Sequence, residues 1–93
     1  MNLTEQQLNE VEKLAGLFFS PSEIMIAIEL PLHMEEEFRQ VILIENDHPL
    51  FIAYNRGRLT AEIQLRQSIK QAALNGSNPA QASLLELLNH SKL

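Results

Sequence analysis

The sequence predicts an all-α protein, with a tri-helical helix-turn-helix unit followed by a long helix and a C-terminal helix. Two capping boxes begin the first helices, and apolar residues recur at helical spacing along the chain, with no second strand pattern to form a sheet. The chain has 93 residues, of which 45% are apolar and 20% charged, as expected of one globular domain. We expect a single helical domain over residues 1–93, with a helix-turn-helix-like unit at 1–46 and an oligomerisation region at 47–93.

The first helix is predicted to span about residues 5 to 18. Thr4 and Gln7 have the spacing of a capping box, and Leu3 and Leu8 stand at the positions of a hydrophobic staple. One face of this helix is apolar and consists of Leu8, Val11, Leu14, Ala15 and Phe18.

Two shorter helices, joined by a turn of about three residues, complete the predicted helix-turn-helix unit. The second helix spans about 21 to 29, with Ser20 as its cap and Pro31 ending it. The third helix spans about 33 to 45 and buries a face made of Met34, Phe38, Val41 and Ile42. Residues 41–44 also suit a strand, but helix is favoured because no other strand can pair with them.

A long helix is predicted from about residue 49 to residue 75, because only Gly57 interrupts the pattern before the Asn75-Gly76 stop. It carries two apolar stripes. The first consists of Leu50, Tyr54, Gly57, Ala61, Leu65 and Ala72, and the second, on nearly the opposite face, of Ile52, Leu59 and Ile63. We expect the second stripe to be an oligomer interface. Asn78 and Pro79 begin a last helix that ends near Asn89.

Charge is divided unevenly along the chain. Residues 1–47 carry ten acidic side chains against Lys13 and Arg39, a formal charge of −8, whereas residues 48–93 carry +3. Such asymmetry suits a basic half that meets an anionic partner, or acidic and basic halves of neighbouring subunits that meet each other.

Candidate DNA contacts follow from this distribution. The outward face of the third helix is poor in cations and offers Arg39 and Gln40, beside Glu35, Glu36 and Leu43. The long helix is more basic, with Arg56, Arg58, Arg66 and Lys70. The alternative is that Glu62 pairs with Arg58 and Arg66 as ordinary helix support.

Enzyme chemistry is not expected. The chain has no cysteine, its three histidines have no metal-ligand spacing, and no phosphate loop, nucleophile elbow or catalytic triad can be recognised. We therefore predict no catalytic residue, no cofactor and no metal.

No apolar run is long enough for a membrane span and no leader is recognised, so a cytoplasmic protein is expected. The last residues, Ser91-Lys92-Leu93, match the peroxisomal address.

Three segments carry a resemblance to a known family. They are Ala53-Tyr54-Asn55-Arg56-Gly57-Arg58, Leu65-Arg66 and the run from Ala72 to Ala80. Together with Ser20–Glu29 and the third helix, they resemble phage and prophage small terminase proteins, which are helix-turn-helix DNA-packaging proteins. The third helix is more acidic than that family's pattern, and Leu84-Leu85-Glu86-Leu87-Leu88 replaces its basic tail.

The resemblance implies a non-enzymatic DNA-recognition subunit that assembles into a ring and passes DNA to a large terminase. Arg56 and Arg58 would be basic contacts, Gly57 would permit close helix approach, and Gly76 would set the turn.

Two hypotheses on function follow. The first is a DNA-binding, self-assembling packaging or regulatory protein that binds duplex DNA weakly and in a salt-sensitive way. The alternative is a helical interaction module with the shape of a helix-turn-helix that binds protein and not DNA.

Overall fold

The computed structural model describes residues 1–91, which form five α-helices and contain no strand. The predicted fold class is confirmed, including the helical state of residues 41–44. The helices, in chain order, are α1 (Glu5–Gly16), α2 (Pro21–Ala27), α3 (Glu35–Ile44), α4 (Pro49–Leu74) and α5 (Asn78–Ser91), with a 3-10 turn (Leu32–Met34) before α3.

Both predicted capping boxes are present. In the first, the Gln7 amide donates to the Thr4 hydroxyl at 3.1 Å, and the Thr4 amide donates to the Gln7 side chain at 2.9 Å. Ser20 and Glu23 repeat the arrangement at the start of α2, at 3.2 and 2.9 Å. Each box satisfies two backbone donors that the first helical turn leaves unpaired.

The turn between α2 and α3 is longer than predicted and occupies residues 28–34. The α2 helix stops at Ala27 because Glu29 adopts a left-handed conformation, with φ at 62°. The Leu30 amide then donates to the Met25 carbonyl at 2.9 Å, which closes a Schellman motif. The expected three-residue turn of a helix-turn-helix is therefore wrong for this chain.

The α1 helix ends at Gly16, two residues earlier than predicted, and its end is also a Schellman motif. Phe18 has φ at 64°, and the Phe19 amide donates to the Leu14 carbonyl at 3.2 Å. As a result Phe18 leaves the apolar face of α1, where the periodicity placed it, and is half-exposed.

The α4 helix continues through Gly57 without a break, as predicted, and ends before Gly76, which has φ at 94°. His48 caps its start, because its Nδ1 accepts the Leu50 amide at 3.0 Å. Since Nδ1 is an acceptor, Nε2 carries the hydrogen and donates to the Met1 carbonyl at 2.9 Å.

The chain divides into two compact units, the first comprising Met1–Ala61 and the second beginning at Glu62. The first unit contains the main core, which is formed by α1 to α3 and the start of α4. Its buried side chains are Val11, Ala15, Ile24, Met25, Ile28, Phe38, Val41, Ile42, Leu50 and Ala53. Burying each of the larger ones contributes about 1.5–3 kcal/mol to stability before the entropy of ordering the chain is counted.

The second unit is a hairpin of the later part of α4 and α5. Within residues 62–91, Ala73 is the only buried side chain. The Schellman motif at Gly76, in which the Ser77 amide donates to the Ala72 carbonyl at 3.1 Å, makes the reversal between the two helices.

Across residues 1–91, no helix is both long and apolar enough to cross a bilayer. The Ser91-Lys92-Leu93 ending falls mainly on residues outside the part of the chain that the structure describes.

Candidate functional site

Arg39, a predicted DNA contact on α3, is held by groups of its own chain. Its Nη2 donates to the Ser22 hydroxyl and to Glu35 Oε1, both at 3.0 Å. Ser22 also donates to the same carboxylate oxygen. Arg39 therefore ties α3 to α2, and would have to give up these bonds to contact a phosphate.

The same network acts on the acidity of Glu35. The hydrogen bond from the Ser22 hydroxyl, followed by that from Arg39, holds the pKa of the Glu35 carboxyl below its usual value. This carboxylate begins α3, where the helix dipole also favours negative charge. The network consequently favours the ionised form of Glu35.

The outward face of α3 carries one carboxylate, one amide and one exposed leucine. Gln40, the second predicted DNA contact on α3, lies there between Glu36 and Leu43, since residues 36, 40 and 43 point away from the buried Phe38. Leu43 is 72% exposed, the highest value of any large apolar side chain in residues 1–91. We call Glu36, Gln40 and Leu43 the acidic face.

The two predicted basic contacts of the first unit, Arg56 and Arg58, are also engaged within the chain. Arg56 reaches Glu12 on α1 at 3.9 Å and remains 66% exposed. Arg58 lies over the Phe18 ring, 5.4 Å from its centroid, and over the Tyr54 ring at 5.7 Å. Because the left-handed turn at the end of α1 brings Phe18 to this position, the stacking could not be predicted from helix periodicity.

In the second unit, Arg66 pairs with Glu62 at 2.8 Å, one helical turn away. This is one half of the alternative that paired Glu62 with both Arg58 and Arg66; among residues 1–91, Arg58 contacts Tyr54 and Phe18 instead. Lys70, the last predicted DNA contact, has no carboxylate within ion-pair distance among residues 1–91. It is therefore a cation that a partner can reach without breaking an internal salt bridge.

The three residues of the second stripe are all exposed on α4. The exposed fractions are 41% for Ile52, 57% for Leu59 and 48% for Ile63. None of the three is buried by other residues of its own unit, so each remains accessible to another copy of the chain.

An apolar groove of about 350 Å³ lies between the two helices of the second unit. Sequence periodicity placed Leu84, Leu87 and Leu88 on the wide apolar face of α5, but it did not predict a groove. Its lining includes Ile63, Arg66, Lys70, Leu84, Leu87 and Leu88, and contains no carboxylate. We call these six residues the hairpin groove. It is apolar at its floor and cationic at one edge.

Among residues 1–91, no three His, Asp or Glu side chains come close enough together to hold a metal ion. Comparison of the chain with protein-family models, with curated proteins and with solved structures finds no match.

Proposed function

We propose that this protein is a non-enzymatic assembly module that associates with itself through apolar helix surfaces. The observation that carries the proposal is the second unit, in which Ala73 alone among residues 62–91 is buried. A helical hairpin gains most of its stability from packing an apolar face, and here that face is left uncovered.

The side chains of the hairpin support this function. Ile63, Leu65 and Leu74 on α4 and Leu85 and Leu88 on α5 are each about half-exposed or more. Covering them in an assembly would add hydrophobic stabilisation of about 25 cal/mol for each Å² removed from water. The exposed stripe of Ile52, Leu59 and Ile63 adds further apolar area along α4.

The test is the solution mass of the full chain. Sedimentation velocity and light scattering should give masses above the 10.6 kDa of one chain, rising with concentration. Leu88→Asp should weaken association because it places a charge on the exposed apolar face of the hairpin, whereas Leu32→Asp, at another exposed leucine, should leave it unchanged. A wild-type chain that remains monomeric at several hundred micromolar would overturn the proposal.

DNA binding is the second candidate function, and the availability of Arg56 and Lys70 favours it. Arg56 is mostly exposed and held only by a long ion pair, and Lys70 has no carboxylate partner among residues 1–91. If DNA binding is the function, the protein would be a cytoplasmic small-terminase-like packaging or regulatory protein, with duplex DNA and a large terminase as partners. The resemblance of residues 53–58 and 72–80 to small terminase proteins agrees with this candidate.

This candidate is tested by anisotropy of a labelled duplex at low salt. Binding should fall steeply as salt is added, because each phosphate contact releases a counterion. Replacing Arg56 and Lys70 by Gln should reduce the salt dependence, and replacing Lys13, a lysine on α1, should not. Absence of binding at low salt would leave only the assembly function.

A further inference from the structure

We propose that the hairpin groove of one copy receives the acidic face of α3 from a second copy, so that the chains assemble head to tail. The inference rests on the proposed function and names the two surfaces that meet. It is carried by the chemistry, spacing and exposure of those surfaces.

Charge favours this pairing over the pairing of two grooves. The hairpin groove is lined by no carboxylate, and of the two cations at its edge Arg66 is paired with Glu62 whereas Lys70 has no carboxylate partner among residues 1–91. In a symmetric dimer a patch pairs with itself, so two grooves would bring these cations together around an apolar centre. The first unit carries ten of the twelve acidic residues of the chain, and its acidic face offers the Glu36 carboxylate to Lys70.

The spacing of the two surfaces also matches. Glu36 and Leu43 are seven residues apart on α3, and Ile63 and Lys70 are seven apart on α4. Each pair therefore spans about 10.5 Å along its helix and lies on one side of it. When the two helices run antiparallel, Leu43 meets Ile63 while Glu36 meets Lys70.

Exposure agrees with this register. Leu43 is exposed to solvent in its own chain, and Leu88 on the floor of the groove is 50% exposed. Lys70 has no carboxylate partner among residues 1–91, so docking Glu36 against it breaks no internal ion pair. Gln40 lies between the two ends of the acidic face and meets the middle of the groove, near Arg66.

A head-to-tail contact uses two different surfaces, so a pair of copies keeps one open groove and one open acidic face, and further copies add until a ring closes or an open chain grows. The mass of the assembly consequently keeps rising with concentration beyond that of a dimer. A self-pairing groove would stop at two copies.

The experiment blocks one surface at a time in the full chain. Leu43→Asp places a charge at the apolar end of the acidic face, and Leu88→Asp places one on the apolar floor of the groove. Both residues are exposed, so each variant should keep the wild-type circular dichroism spectrum. Each variant alone should be monomeric at concentrations where the wild type associates. An equimolar mixture should form a heterodimer and stop there, because the one intact groove and the one intact acidic face are then both used.

The outcomes distinguish the failure of the head-to-tail contact from the failure of self-association itself. A monomeric wild type would overturn both. An associating wild type with a Leu43→Asp variant that still dimerises would retain self-association and overturn the head-to-tail contact. Variants that are monomeric alone and remain monomeric when mixed would also overturn it. Leu32→Asp is the control and should behave as the wild type.

Charge reversal tests the register. Glu36→Lys and Lys70→Glu should each weaken association about tenfold, since like charges then meet across the contact. Both changes in one chain should restore the affinity to within about twofold of the wild type. Glu10→Lys, which changes the net charge by the same amount as Glu36→Lys but lies outside the two surfaces, should not weaken association. Failure of the double variant to recover would overturn the antiparallel register.

Discussion

Gly57 on α4 lies directly against Glu12 on α1, so close that a Cβ atom at position 57 would stand 2.1 Å from the Glu12 carbonyl oxygen. No side chain fits there unless the two helix backbones separate. Gly57 was expected to permit a close helix approach, and this contact explains why a glycine occupies the interior of a long helix despite a propensity cost of about 1 kcal/mol.

Gly57→Ala should therefore destabilise the protein by about 1–3 kcal/mol, although alanine is the better helix former. Chemical denaturation followed by circular dichroism measures the change. Gly16→Ala is the matched comparison, because its Cβ would stand 3.1 Å from the Gly57 carbonyl oxygen and needs only a small adjustment. An alanine at 57 that leaves stability unchanged would show that this contact does not exist.

Glu29→Gly should stabilise the first unit by about 0.5–1 kcal/mol. Glu29 has φ at 62°, a conformation that a residue with a Cβ atom adopts at a cost and glycine adopts freely. Glu29→Ala is the control, since it removes the carboxylate but keeps the Cβ atom, and it should give no such gain. Urea denaturation midpoints of the three proteins measure the difference. Equal midpoints for the glycine and alanine variants would contradict the strain argument.

The contribution of Glu35 to stability should depend on pH. Hydrogen bonds from Ser22 and then Arg39 lower the pKa of this carboxyl in the folded state. As the pH falls, the Glu35 carboxyl of the unfolded chain is protonated first, at its ordinary pKa of about 4.5. The stabilisation from ionised Glu35 is therefore complete above about pH 4.5, and it is lost as the pH falls through the lower pKa of the folded state.

Glu35→Gln should accordingly be less stable than the wild type at pH 7, and the gap should narrow as the pH falls below about 4.5. Denaturation midpoints at pH 7 and pH 3 measure it. Glu36→Gln, which removes an exposed carboxylate that lies outside the network with Ser22, is the control. A gap of equal size at both pH values would contradict the role of ionised Glu35.

Arg58 and Phe18 should be energetically coupled, because the guanidinium lies 5.4 Å from the ring centroid. In a double-mutant cycle with Arg58→Gln and Phe18→Leu, the coupling free energy should be about 0.5–1 kcal/mol. The same cycle with Arg56→Gln should give none, since Arg56 contacts Glu12 instead. Additive effects of the Arg58 and Phe18 substitutions would show that the stacking contributes nothing.

Local chemistry by itself determined much of this molecule. The capping boxes at Thr4 and Ser20, the continuous α4 and the stop at Gly76 follow from hydrogen bonding and backbone preference within a few residues, so the sequence predicts them. The predicted ends of α1 and α2 were wrong, because Phe18 and Glu29 adopt a left-handed conformation that neither residue type favours, so local preference does not predict it.

Only the tertiary structure decided which charged side chains are available to a partner. The sequence places Arg39, Arg56, Arg58 and Arg66 on outward helix positions. It does not reveal that Ser22 on another helix binds Arg39, or that Arg58 stacks on Phe18. The hairpin groove likewise exists because α5 folds back on α4 and leaves Leu88 uncovered. Pair contacts between helices depend on their relative placement in space, which the periodicity of a single helix does not encode.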